Sequence, residues 1–151
     1  MKRIYLATLI TAIVICANVM YSSCCNADES ATTTTVVLLD AVETSWDGAA
    51  LIDYPTGTPA ITLLKITVPP KCKLPQHYHP VINVGYMLEG TLTVTDDKGN
   101  KKTVNAGDPI IETVNTIHYG ENTGDINATI IVFYAAEKGA TITEIADTYP
   151  N

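Results

Sequence analysis

Arg3 is the only arginine in this chain, and it lies in the first three residues. A surface without guanidinium groups lacks the planar forks that hold phosphates in pairs of hydrogen bonds. Beyond Ala27 seven lysines stand against sixteen acidic residues, a net charge of about minus nine by the counting that gives −7 for the whole chain. An acidic body of this kind repels phosphate backbones, which excludes nucleic acid as a partner. Cysteine is just as sparse where it matters: Cys16, Cys24 and Cys25 all precede Ala27, so Cys72 is left alone and an internal disulfide downstream is excluded. No stretch of ten or more residues after Ala27 repeats apolar side chains at helical spacing, which argues against a helical domain. There are only three histidines, His77, His79 and His118.

What is present divides early in the chain. Met1-Lys2-Arg3 is a short basic start, and Ile4 to Met20 is apolar apart from Thr8, Thr11 and Asn18. Small and polar residues follow, then the acidic pair Asp28-Glu29. This is the order of a secretory signal, and cleavage near Ala27 is expected. The apolar run is at the lower limit for a membrane anchor, and no basic residues follow it to hold an anchor in place. The expectation is therefore an exported protein, periplasmic or extracellular, with no membrane span after cleavage. A second reading stays open: Ser22-Ser23-Cys24 resembles the end of a lipoprotein signal, in which Cys24 is lipidated, although Tyr21 stands where such signals usually carry leucine. The organisation is then residues 1–27 as signal, 28–35 as a flexible polar lead-in, and 36–151 as one domain.

Within that domain short β-branched or alternating runs recur. They are Val36–Leu39, Ile61–Val68, Thr91–Thr95, Ile110–Val114 and Ala128–Tyr134. Turn chemistry separates them, and Asp96-Asp97-Lys98-Gly99-Asn100 between two alternating runs predicts a hairpin. Many short strands with regular turns predict an all-β sandwich or barrel.

His77 and His79 lie two apart in a strand-like context, so both side chains project to one face. A third imidazole from a distant strand, His118, would close three sides of a metal ion and leave positions open for a small molecule. These residues resemble the cupin family of jelly-roll β-barrels. Its first motif, G(X)5-HXH-(X)3,4-E-(X)6-G, is met by His77-Tyr78-His79, three intervening residues, Asn83, six more and Gly90. Its second, G(X)5-PXG-(X)2-H-(X)3-N, is met at Gly107, His118 and Asn122. The opening glycine of the first motif is replaced by Lys71, and the proline and glycine of the second by Thr113 and Asn115. The resemblance implies a single-domain cupin barrel holding one divalent transition metal ion (Fe, Ni, Zn, Cu or Mn) on His77, His79 and His118. It also implies a homodimer.

One departure bears on chemistry. The family's metal-binding glutamate position holds Asn83, whose amide oxygen offers a dipole in place of a charge. Asn83 is thus a weak ligand or an orienting group. Glu112, in an otherwise apolar run, shares a strand face with Ile110 and Val114. If that face points inward, Glu112 is a general base or supplies the acid missing at position 83; if outward, it is solvated. Gly85, on the face of Asn83 and Met87, either leaves room for a ligand or marks a bulge. Cys72 is read as a free thiol, buried or at an edge, with a sulfur ligand as the alternative, and Tyr78, Tyr86 and Tyr119 as packing residues.

The resulting functional expectation is a metal-dependent enzyme of dioxygenase or isomerase type acting on a small organic molecule. The alternative is a non-catalytic cupin that captures a small ligand or metal as a sensor or carrier.

Overall fold

The computed structural model describes residues 33–146. The proposed signal, its three cysteines and most of the lead-in lie outside the described residues. The strands among the described residues all fall within the unit Val36–Asn151.

Among the described residues nine strands form two antiparallel sheets, and no helix occurs. One sheet has the order β1-β8-β3-β6, from β1 (Pro59–Val68), β8 (Ala128–Glu137), β3 (Ile82–Glu89) and β6 (Pro109–Ile111). The other has the order β5-β4-β7-β2-β9, from β5 (Lys101–Asn105), β4 (Thr91–Asp96), β7 (His118–Glu121), β2 (His77–Tyr78) and β9 (Glu144–Ile145). This is the all-β barrel that the turn spacing predicts, in the jelly-roll form that the motif resemblance implies.

The alternation of the strands builds the core. On β8, Ile130, Val132, Tyr134 and Ala136 point inward, while Phe133 on the same strand is half exposed. Met87 on β3, Leu92 and Val94 on β4, and Val104 on β5 complete the packed interior. The predicted hairpin is present: Asp96 Oδ1 accepts the amides of Lys98 and Asn100 at 2.9 and 2.8 Å, and Gly99 takes a φ of 85°. The aspartate caps its own turn, and glycine occupies the left-handed position without steric cost.

Two expectations change. Val36–Leu39 joins no sheet and stays largely exposed. β-propensity does not make a strand where no sheet edge is within reach to accept its hydrogen bonds. The run Ile110–Val114 pairs as a sheet strand only to Ile111, after which Val114 makes an isolated parallel bridge to His79. The chain turns away because Asn115 follows in the left-handed region, with a φ of 56°.

Among the described residues the two non-glycine residues with positive φ are Lys71 (61°) and Asn115 (56°), the positions at which this chain departs from motif glycines. The backbone shape is therefore kept without the residue that makes it cheap. Asn tolerates that conformation; Lys71 is held in it by Nζ contacts to the Thr123 carbonyl at 2.7 Å and to Asp125 at 2.9 Å.

Candidate metal centre

His77 and His118 stand directly opposite each other in the β2–β7 register, which brings their ring centroids to 4.6 Å. His79 lies 5.0 Å from the His77 ring and 5.1 Å from the His118 ring. One ring nitrogen of each residue lies within 4.8 Å of those of the other two. His77 on β2, His79 one residue past its end and His118 on the neighbouring β7 therefore close into a triangle.

The other nitrogen of each ring is already committed. His77 Nδ1 meets the Pro75 carbonyl at 2.8 Å, His79 Nδ1 the Ile142 carbonyl at 2.9 Å, and His118 Nδ1 the Thr116 carbonyl at 2.8 Å. A carbonyl only accepts, so each Nδ1 carries the proton and each Nε2 presents a lone pair. This is the outer hydrogen bonding that fixes tautomer and ring orientation in metal-binding histidines. Burial lowers the pKa of all three imidazoles, with His79 down to about 4, so they are neutral and competent as ligands at neutral pH.

Asn83 is fully buried, and neither its Nδ2 nor its Oδ1 has a hydrogen-bond partner. Glu112 is buried as well, and its Oε2 lies 3.7 Å from His118 Nε2, with both atoms unpartnered. The strand face that the sequence left open thus points inward. Burial raises the Glu112 carboxyl to about 7. The neighbouring imidazole of His77 and the indole of Trp46 oppose that rise, although Trp46 Nε1 lies outside hydrogen-bond geometry and has no partner of its own.

Buried polar atoms are nearly always paired, and each orphan costs about 1–3 kcal/mol. Here Asn83, Glu112 and His118 all leave orphans around one cavity of about 40 Å³, otherwise walled by side chains such as Val68, Leu92, Val94 and Ile130. That volume admits two or three water-sized occupants at roughly 10–15 Å³ each. Three neutral imidazole lone pairs, an amide and a carboxyl around such a space fit a divalent cation carrying one or two small ligands.

The other residues singled out by sequence lie outside this centre. Asn122 is a structural tie: its Nδ2 donates to the carbonyls of Val68 at 2.9 Å and Ile126 at 2.8 Å, and its Oδ1 accepts the Gly124 amide. Cys72 is an exposed free thiol outside the histidine group. Tyr78 bonds Glu144 at the surface, Tyr119 lies under the Lys73 ammonium, and Tyr86 is on the outer sheet face. Gly85 leaves no space for a ligand, because Ile130 Cδ1 and Ile110 Cγ2 would lie 2.6 and 2.8 Å from a Cβ there. The bulge on β3 falls between Met87 and Glu89 instead.

Two contributions had no motif to reveal them. The C-terminal segment holds His79 through the Ile142 carbonyl and through Thr143 Oγ1, 3.0 Å from Nδ1. On the other side the turn closed by the Thr44–Ala50 bridge packs Trp46, the only tryptophan, against the core.

The family model for the Cupin domain matches residues 64–134. No curated protein matches the chain. Among solved structures, the polyketide cyclase RemF from Streptomyces resistomycificus is 19% identical, with a TM-score of 0.50 over 62% of this chain and 65% of that one. A conserved protein with a double-stranded β-helix domain from Klebsiella pneumoniae is 18% identical, with a TM-score of 0.50 over 65% of this chain and 92% of its own. The DMSP lyase DddQ from Ruegeria pomeroyi, 16% identical with a TM-score of 0.49, is matched over 56% of this chain and 42% of its own. This chain thus spans less than two thirds of RemF and of DddQ, and identities of this size show the fold alone.

Proposed function

The chain carries a cupin-type domain, and on that premise we propose that it is an exported metal-dependent enzyme acting on a small organic molecule by dioxygenase- or isomerase-type chemistry. The observation that carries this reading is the convergence of three imidazoles, one ring nitrogen of each within 4.8 Å of the others and each Nδ1 held by a carbonyl, beside the unpartnered Oε2 of Glu112. His77, His79 and His118 hold a divalent transition ion, Fe, Ni, Zn, Cu or Mn. Bound there, such an ion supplies Lewis-acid polarisation of a coordinated oxygen and, for the redox-active metals, electron transfer.

The chain's own groups supply the rest. Glu112 takes up or delivers a proton at Oε2, a role that burial favours by raising the carboxyl above the usual carboxylate range. Asn83 offers its Nδ2 as donor and its Oδ1 as acceptor, both unsatisfied within the protein, to orient the substrate's polar end. The apolar walls exclude water from that end. A cavity of about 40 Å³ admits only the reacting group, so the remainder of the substrate lies at the mouth, on the side of half-buried His77.

Turnover of catechols, flavonols and 1,3-diketones by the iron- or nickel-loaded protein tests this reading, and inactivity across the panel counts against it. A second reading is favoured by Asn83 itself: without a carboxylate at that position the barrel binds a small ligand or metal without chemistry. A ligand that raises the melting temperature and is recovered unchanged supports that alternative. Export rests on the order of residues in Met1–Ala27, and the mass of the natively processed chain separates cleavage near Ala27 from lipidation at Cys24. A homodimer belongs to the same proposal. Ile61, Leu63 and Phe133 leave the outer face of β1 and β8 apolar and uncovered, and light scattering checks it.

A further inference from the structure

We propose that the Thr44–Ala50 turn, which lies outside the matched domain, is part of the centre, with Trp46 as the positioning residue of Glu112. This rests on the metal-centre reading above and adds a residue to it. The turn is built to hold its place. Ser45 Oγ donates to Asp47 Oδ1 at 2.6 Å, the Ser45 amide donates to the Ala49 carbonyl at 2.9 Å, and Thr44 bridges Ala50. Its register against the barrel is set one residue from the carboxyl, because the Trp46 amide donates to the Ile111 carbonyl at 2.9 Å.

At that junction two buried atoms of complementary kind both lack a partner: the donor Nε1 of Trp46 and the acceptor Oε2 of Glu112. An indole nitrogen can only donate, and a buried one normally finds an acceptor. An indole N–H donated to a carboxyl favours its ionised form. A dication on the histidines would favour the same ionised form. The indole N–H would then close on Oε2, the oxygen that lies 3.7 Å from His118 Nε2, and so fix the carboxylate beside the imidazoles. Trp46 therefore acts on the bound ion through Glu112, as outer hydrogen-bonding groups act through ligands.

The test is a double-mutant cycle on Ni²⁺ affinity, read by competition with a chromophoric chelator, using Trp46→Phe and Glu112→Leu. Trp46→Phe is expected to weaken binding roughly 10-fold in the native background and to have no effect once Glu112 is Leu. An equal loss in both backgrounds, or none in the native one, overturns the proposal. A second measurement needs neither metal nor a folded Trp46 variant. Trp46 is the sole tryptophan, so its emission in the metal-free protein is expected to change intensity and maximum in Glu112→Leu; identical spectra overturn the contact. If no ion binds at all, the metal reading fails while the emission result still decides the Trp46–Glu112 contact.

Discussion

Glu112 stands opposite Asn83 across the β3–β6 pair: its amide donates to the Asn83 carbonyl at 3.2 Å, and both side chains are buried in the barrel. Cross-strand neighbours on one face lie about 5 Å apart at Cβ. A buried acid therefore faces the motif position from the neighbouring segment. The histidine group does not include Glu112, so the carboxyl lies beside the triangle of imidazoles and does not complete it.

Restoring the motif acid should make the metal-free barrel worse and the metal-bound barrel better. Asn83→Glu places a second carboxyl beside Glu112, and two buried carboxyls cannot both ionise cheaply. The variant is expected to melt below the native protein in chelator and to gain more from saturating Ni²⁺ than the native protein does. Calorimetry with and without the ion measures both. A smaller gain from Ni²⁺ in the variant contradicts the placement of Asn83 at the metal position.

Glu112 should make the metal-free fold pH-dependent in a stated direction. Its pKa is raised in the fold from 4.5 to about 7 by burial, so the folded state holds the proton more tightly than the unfolded chain. That stabilisation is complete below the unfolded value and is lost as pH rises through about 7. Glu112→Gln cannot ionise and so keeps it. In urea with chelator, the variant is expected to exceed the native protein by up to about 3 kcal/mol at a pH near 8 and to match it near pH 4. Equal stability at both pH values contradicts a buried carboxyl.

Metal occupancy should survive to lower pH than free imidazole allows. Burial depresses all three histidines below 6.5, with His79 at about 4, so protons compete with the ion only in the acid range. Occupancy is expected to hold from pH 8 to about 6 and to fall towards pH 4, whereas three unperturbed imidazoles would begin to fail near 6.5. The same depression destabilises the metal-free fold as pH falls below 6.5, because the unfolded chain binds those protons first. Equilibrium dialysis across that range checks the occupancy.

Gly90 should be far less replaceable than Gly99, although both have positive φ, 71° and 85°. A Cβ at Gly90 would lie 2.3 Å from the Asn127 carbonyl oxygen, while at Gly99 nothing lies within 4 Å. Alanine at Gly99 carries only the left-handed penalty of about 1–2 kcal/mol. Alanine at Gly90 adds a backbone overlap worth about 1–3 kcal/mol more. Denaturant unfolding of the two variants measures the difference, and equal losses contradict the close approach at Gly90.

The histidine triangle was legible in the sequence because the spacing of His77 and His79 fixes a common face whatever the register. The inward face of Glu112 was not, since a period of two leaves the orientation of a strand undetermined until its neighbours are known. Val36–Leu39 has the composition of a strand but no paired edge, which no local pattern records. Trp46 and Ile142 act from segments flanking the matched domain, through an indole and a backbone carbonyl. A carbonyl carries no sequence signal at all, and a lone tryptophan in a Ser-Trp-Asp-Gly turn signals burial without a target.

Elemental analysis of the natively purified protein, beside His79→Ala and His118→Ala, tests the central claim most directly. About one divalent transition ion per chain is expected in the native protein and well under a tenth of that in either variant. A native protein free of metal, or variants that keep it, would contradict the three-histidine centre.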